Sequence, residues 1–211
     1  MTTTAQNAYP LTLEIDYPDR PLNRMTNAFR FAMLVPIAIV LGVLTALGSS
    51  AAGGDSAGLV AVGGLLFLPP LLMIVFRGKY PRWWFDWNVE LMRFTNRVSA
   101  YGALLNDRYP STDEQQYVKL ELEYPDARED LSRWLPLVKW FLAIPHYVVL
   151  AVLSIGALFA VVAAWFSILF TGRYPRALFN YVVGVMRWSN RVSAYAFVLA
   201  TDKYPPFRLS H

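Results

Sequence analysis

The chain repeats itself, and the repeat limits its architecture more than any single residue does. The string Phe76-Arg77-Gly78-Lys79-Tyr80-Pro81-Arg82, followed by Met92-Arg93-Phe94-Thr95-Asn96-Arg97-Val98-Ser99-Ala100-Tyr101, returns at one offset. The second copy reads Phe170-Thr171-Gly172-Arg173-Tyr174-Pro175-Arg176, then Met186-Arg187-Trp188-Ser189-Asn190-Arg191-Val192-Ser193-Ala194-Tyr195. The leads match as well: Leu11-Thr12-Leu13-Glu14-Ile15-Asp16-Tyr17-Pro18-Asp19 against Val118-Lys119-Leu120-Glu121-Leu122-Glu123-Tyr124-Pro125-Asp126. So do the ends, Asp107-Arg108-Tyr109-Pro110 and Asp202-Lys203-Tyr204-Pro205. A fixed internal repeat implies two copies of one structural unit. Residues 1–110 form the first and residues 111–211 the second.

The solvent of this chain is read from its apolar runs. With 55% hydrophobic and 16% charged residues and a mean hydropathy of +0.33, it is more apolar than an average globular domain. Residues 31–47 and 59–76 are apolar in the first half, and residues 134–170 in the second, where Lys139 and His146 are the strongly polar interruptions. Runs of roughly 17 to 20 residues suit a helix crossing a bilayer. Residues 49–58 are rich in Gly and Ser and read as a turn, so residues 29–76 are expected to form a transmembrane hairpin. By the repeat, residues 134–170 are expected to form a second hairpin with a break near residues 154–157. A re-entrant hairpin that does not fully cross fits the short second arm equally well.

Cations set the expected orientation. Arg20, Arg24 and Arg30 precede the first run, Arg77, Lys79 and Arg82 follow the second, Arg128, Arg133 and Lys139 introduce the third, and Arg173 and Arg176 follow the fourth. The inter-helix turns carry no Lys or Arg. The positive-inside rule then places both termini, both Tyr-Pro junctions and both amphipathic helices in the cytoplasm of a multi-pass plasma-membrane protein. The first residues lack a basic segment leading into an apolar core, so no signal peptide is expected. A net charge of +4 and a pI near 9.4 are accounted for by anionic lipid headgroups, without nucleic acid. Zero cysteines exclude disulfides, thiolate catalysis and cysteine-ligated metals.

After each basic junction comes an amphipathic helix, expected over residues 82–105 and 176–200. In the first, Trp84, Trp87, Leu91, Phe94, Val98, Tyr101 and Leu105 recur in steps of three and four; in the second, Leu178, Tyr181, Val185, Trp188, Val192, Tyr195 and Leu199 do the same. That spacing makes one apolar stripe along about six turns. Arg93 and Arg97, and Arg187 and Arg191, lie off the stripe, one turn apart. Three roles compete for such a helix. It grips lipid headgroups in the plane of the leaflet, it docks on a partner protein, or it packs beneath its own transmembrane hairpin. Asn96, Arg97, Ser99 and Tyr101 recur as Asn190, Arg191, Ser193 and Tyr195. Structural use is the favoured expectation, with Arg97 and Arg191 capping hairpin carbonyls or pairing with a carboxylate and Tyr101 and Tyr195 as interfacial anchors. Lipid-headgroup or partner contact by Arg93, Arg97, Arg187, Arg191, Asn96, Asn190, Tyr101 and Tyr195 is the alternative. Trp84, Trp87, Phe94, Tyr181 and Trp188 would then form an interfacial aromatic stripe.

The leads alternate apolar and polar residues over Leu11, Leu13, Ile15 and Tyr17, and over Val118, Leu120, Leu122 and Tyr124. Period two ended by Tyr-Pro-Asp predicts a half-buried strand in each half, and the two strands are expected to pair. Pro36 and Pro145 predict matching kinks. Gly58, Gly63 and Gly64 would let a helix approach a neighbour closely. Catalytic constellations are missing: the histidines are His146 and His211, and no metal-binding, phosphate-cradling or nucleophile-elbow motif is present. The reading is therefore a non-enzyme without a cofactor.

These motifs, doubled across nearly the whole chain, resemble an uncharacterised family of bacterial integral membrane proteins of unknown function, found notably in actinobacteria. The resemblance implies the membrane topology and plasma-membrane location and carries no activity. The expected fold is an all-α integral membrane protein of two tandem repeats, each a transmembrane hairpin plus a cytoplasmic amphipathic interfacial helix, with a small two-stranded β element. The expected function is a non-catalytic accessory or scaffold subunit of a larger plasma-membrane complex, in contact with anionic lipids and other membrane subunits. The alternative is a lipid-binding or lipid-handling module.

Overall fold

The computed structural model describes residues 9–18, 20–46, 71–111, 114, 116–126, 131, 132, 134–210. The loop at 49–58, the arm from 59 to 70 and Gly58, Gly63, Gly64, Pro69 and Pro70 lie outside them. The molecule is mostly helical with one small sheet. In chain order it has β1 (Leu11–Ile15), α1 (Arg24–Ala28), α2 (Arg30–Ala46), a π-helical turn (Met73–Arg77) and α3 (Arg82–Gly102). Then follow β2 (Val118–Leu122), a 3-10 turn (Leu135–Leu137), α4 (Lys139–Leu142), α5 (Ile144–Thr171) and α6 (Arg176–Ala196).

The strands pair as their alternation predicts. β1 and β2 are antiparallel, with Leu13 opposite Leu120 and Ile15 opposite Val118. Leu11, Leu13, Ile15, Val118 and Leu120 are buried on one face, while Thr12, Glu14, Lys119 and Glu121 are exposed on the other. A two-stranded sheet is marginal alone. Here it lies on α3 and α6, whose Phe85, Val89, Phe179, Val182 and Val183 share its apolar cluster.

Opposite the sheet, the same two helices carry the apolar helices. Ile37 of α2 packs with Phe94 and Val98 of α3, and Ala143 and Tyr147 pack with Trp188, Val192 and Tyr195 of α6. On α6 the residues facing α5 (181, 188, 192) and those facing the sheet (179, 183) lie about half a turn apart. The result is three layers: sheet, then α3 and α6, then α2 and α5.

The basic Tyr-Pro junction is helix punctuation. Gly78 (φ 57°) and Gly172 (φ 73°) take the left-handed conformation that closes a helix. Their N–H groups donate to the carbonyls of Ile74 at 3.1 Å and Ile168 at 2.8 Å. Three residues later Pro81 and Pro175 cap the next helix, where a missing N–H costs nothing. At the far ends the chain turns on Leu104 (φ 65°) and Leu199 (φ 59°). A left-handed leucine costs roughly 1–2 kcal/mol, offset here by complete burial of both side chains.

One expectation is overturned. Residues 134–170 do not form two arms breaking near 154–157, because α5 runs unbroken from Ile144 to Thr171 over 28 residues. A lone Gly156 costs a helix only about 1 kcal/mol and Ser154 less, too little to break it; Gly156 is instead the contact point for Tyr181, whose hydroxyl donates to the Leu153 carbonyl at 3.0 Å. Pro145 sits in the first turn of α5, where it is tolerated. Among the described helices, α5 is the one long and apolar enough to cross a membrane.

Candidate functional site: the crossing of the two motif helices

The Asn-Arg-Val-Ser-Ala-Tyr strings meet at the centre of the molecule. Asn96 and Asn190, both buried, exchange two hydrogen bonds, each Nδ2 donating to the other's Oδ1 at 2.7 Å. Each Nδ2 also donates to a carbonyl one turn back, Met92 and Met186 respectively, at 2.8 Å. Both donors of each amide are thus used, which makes a buried polar pair affordable and fixes the register of α3 on α6.

Around this pair the contacts run crosswise between halves. Arg93 Nε donates to the Leu120 carbonyl at 3.0 Å, and Arg187 Nε to the Leu13 carbonyl at 2.9 Å. Tyr17 Oη donates to the Tyr174 carbonyl and Tyr124 Oη to the Tyr80 carbonyl, both at 2.5 Å. Tyr17 meets Phe179 edge-on at 5.0 Å and lies under the Arg176 guanidinium, as Tyr124 meets Phe85 at 5.1 Å and lies under Arg82. Each strand thus lies beneath the other half's motif helix.

Arg97 and Arg191 are deeply buried. Arg97 Nη1 donates to the carbonyls of Ser111 (2.8 Å) and Glu114 (2.7 Å), and Arg191 Nη2 to those of Arg208 (2.6 Å) and Ser210 (3.2 Å). They cap loop carbonyls, a structural use, but the carbonyls are not those of the hairpins that were expected. Tyr101 and Tyr195 are 1% exposed; they are covered by protein and do not anchor at an interface. Phe94 and Trp188 are buried too, Trp84 and Tyr181 half-buried, and Trp87 stays 40% exposed. The stripe is used up mainly by packing on α2 and α5, since each motif helix has a neighbour on both faces. The arginines that the alternative reading offered to lipid headgroups are bonded within the chain.

Two ion pairs escaped the sequence reading. Arg30, fully buried at the start of α2, pairs with Asp107 and donates to the carbonyls of Asn106 (2.9 Å) and Tyr101 (3.3 Å). Lys139 at the start of α4 pairs with Asp202 at 2.7 Å and donates to the Thr201 carbonyl at 2.7 Å. Their charges sit 4.7 Å and 5.2 Å from the rings of Tyr101 and Tyr195. Asp107 and Asp202 also accept from the backbone N–H groups of Asn23 (2.7 Å) and Ser132 (2.6 Å). The signal was present: the aspartate of each Asp-x-Tyr-Pro ending and one cation before each apolar run. Burial pulls the Lys139 ammonium below the usual lysine range, opposed by its bond to Asp202.

His146 is fully buried against Phe207, with ring centroids 4.0 Å apart. Its Nδ1 accepts from Trp188 Nε1 at 3.1 Å, so its proton is assigned to Nε2. The corresponding place in the first half holds Ile37. Beside the Lys139–Asp202 pair a cleft of about 330 Å³ is lined by Pro10, Glu123, Tyr124, Pro125, Ala200, Thr201, Asp202 and Lys203. Among the described residues no group of three or more His, Asp or Glu side chains is placed to hold a metal ion.

No curated protein and no solved structure matches the chain. Residues 133–208, which hold α5, α6 and the closing Asp-x-Tyr-Pro, match a family described as a domain of unknown function (DUF4389).

Proposed function

We propose that this chain is a non-catalytic scaffold or accessory subunit working at the bacterial plasma membrane, built from two related halves. The observation that carries the reading is the division of labour among its side chains. The asparagines and arginines of the doubled motif are bonded to the chain itself, whereas the outer surfaces of α2 and α5 are apolar, with Met33, Ile39, Val152, Leu158, Phe159 and Phe170 all exposed. An apolar surface of that extent calls for lipid or a partner subunit. The cation distribution supports a cytoplasmic location for the sheet and both termini.

Crosslinking in native membranes followed by affinity capture tests this directly. A reproducible set of co-purifying membrane proteins, whose yield falls when the chain is deleted, is the expected result. Recovery of a monodisperse chain free of partners, with no effect of deletion on other complexes, overturns it.

A lipid-handling role is the second reading. Its support comes from the exposed cations Arg24, Arg77, Lys79 and Arg173 at the ends of the apolar segments, where they can reach headgroup phosphates. Replacing these four by glutamine should reduce selective retention of anionic lipid in native mass spectrometry; unchanged retention removes this reading.

A further inference from the structure

We infer that α5 lies within the plane of one leaflet instead of crossing the bilayer, with α2 beside it and the sheet raised into water. This rests on the proposed membrane location and specifies how the apolar layer meets lipid.

By length alone, α5 could cross: 28 residues extend about 42 Å, more than the roughly 30 Å of hydrocarbon. Its neighbours argue otherwise. One face of α5 is backed by protein from end to end. Ala143 and His146 pack with Trp188, and Leu153 meets Tyr181. Farther on, Ala160, Ala164 and Ile168 are buried in the main cluster, and Trp165 Nε1 donates to the Asn27 carbonyl at 3.2 Å. At the end, Gly172 packs against Pro21 and Arg24. The element running beside α5 is α6, and behind α6 lies β1, tied on by Arg187 to Leu13 and by Tyr17 to Tyr174.

An upright α5 would therefore carry this second layer and the sheet into hydrocarbon. Glu14, Lys119 and Glu121 are exposed on the sheet's outer face, and charged side chains and open strand edges are excluded from lipid contact at that depth. Laying α5 flat removes the conflict. From Ile144 to Phe170 the exposed residues are apolar except Ser154, and Val148, Val152, Ile155, Phe159, Phe166 and Phe170 continue one outward stripe in steps of three, four and seven. Exposed Trp134 and Trp140 precede this stripe and exposed Arg24 and Arg173 flank its far end, residue types that belong at headgroup level. The molecule is amphipathic as a stack of layers.

Depth measurement separates the two arrangements. The chain has no native cysteine, so full-length single variants Val148→Cys, Ile155→Cys, Val162→Cys and Phe170→Cys can each carry an environment-sensitive fluorophore. They are reconstituted in vesicles of phosphatidylcholine and phosphatidylglycerol containing lipid quenchers at two depths. An in-plane helix places all four probes at one shallow depth, within about 5 Å. A crossing helix sets Val148 and Phe170 about 33 Å apart along its axis, with Ile155 and Val162 deepest; that profile overturns the inference. A fifth variant, Lys119→Cys, should react with an impermeant thiol reagent equally fast in detergent and in vesicles made with the sheet outward, and tenfold or greater protection by lipid also overturns it. If the chain stays on the vesicles with all four probes shielded from both lipid and aqueous quenchers, protein covers the stripe and the in-plane assignment fails. If the chain does not bind vesicles and does not sediment with native membranes, the membrane location itself fails.

Discussion

The two halves solve the same problems with different residues. Where the first half anchors its apolar helix with Arg30, Asp107 and two carbonyls, the second uses Lys139, Asp202 and one. Ile37 against Phe94 becomes His146 against Trp188. Tyr80 donates its hydroxyl to the Val198 carbonyl at 2.6 Å, while the hydroxyl of Tyr174 is buried without a partner among the described residues. Backbone punctuation, the Asn pair and the crosswise strands are shared. What the two halves have in common is thus the geometry that joins them, and what differs is the filling of each half.

The largest test of this comparison is removal of the anchoring cations. Arg30→Met leaves the carboxylate of Asp107 largely buried without its charge partner and frees two carbonyls, and should lower unfolding free energy by about 3–5 kcal/mol. Lys139→Met should cost less, because Asp202 is more open to water and loses fewer partners with it. Reversible denaturation in mild detergent ranks the two; equal losses would show that the halves depend equally on their anchors.

Next in size is the shared element. Asn96→Ala or Asn190→Ala strands one buried amide and should cost about 1–3 kcal/mol each. The double variant should cost clearly less than their sum, since the second removal strands nothing further. Strict additivity would show that the two amides contribute separately.

A conversion of one half into the other comes third. His146→Ile alone leaves the indole N–H of Trp188 without an acceptor and should cost about 1–2 kcal/mol. Adding Trp188→Phe reproduces the pairing of Ile37 with Phe94 and should recover part of that loss. No recovery would mean that the surrounding packing, including Phe207, has become specific to the second half.

The smallest contrast is between tyrosines. Tyr80→Phe should cost about 1 kcal/mol, and Tyr174→Phe should be neutral or slightly stabilising, because its hydroxyl already lacks a partner. Both phenols, with Tyr117, are held above the ordinary tyrosine pKa by burial. A raised folded-state value means that the folded chain keeps protons the unfolded chain has released. Stability is therefore intact below the unfolded value of 10.0 and falls as pH rises above it. Each phenol removed should make that alkaline decline shallower; an unchanged slope in Tyr80→Phe would assign the decline to other groups.

Periodicity made the strands and the two motif helices legible in the sequence, because period two and the three-four step each have one geometric meaning. The Tyr-Pro of each junction stood just before the expected start of a motif helix. Their partners were not legible. An apolar stripe with aromatic residues reads alike whether lipid or a neighbouring helix covers it, so Phe94 and Trp188 gave no sign of being buried. Arg93 and Arg187 bond carbonyls 27 and 174 residues away, a distance over which no local pattern reports. The break expected at 154–157 failed for a related reason: it was transferred from a Gly-rich stretch that the second half does not contain.

The crosswise seating of the strands has a consequence for biosynthesis. Tyr17 must wait for Tyr174, and Leu13 for Arg187, so β1 leaves the ribosome long before the surface that holds it. Closing so long a loop is slow compared with forming a helix. β1 can pair with β2 once residue 122 is made, but its seat on α6 stays empty until α5 and α6 have followed. The halves are thus tied together late, because the earliest strand can meet the final helix only after everything between them has been made.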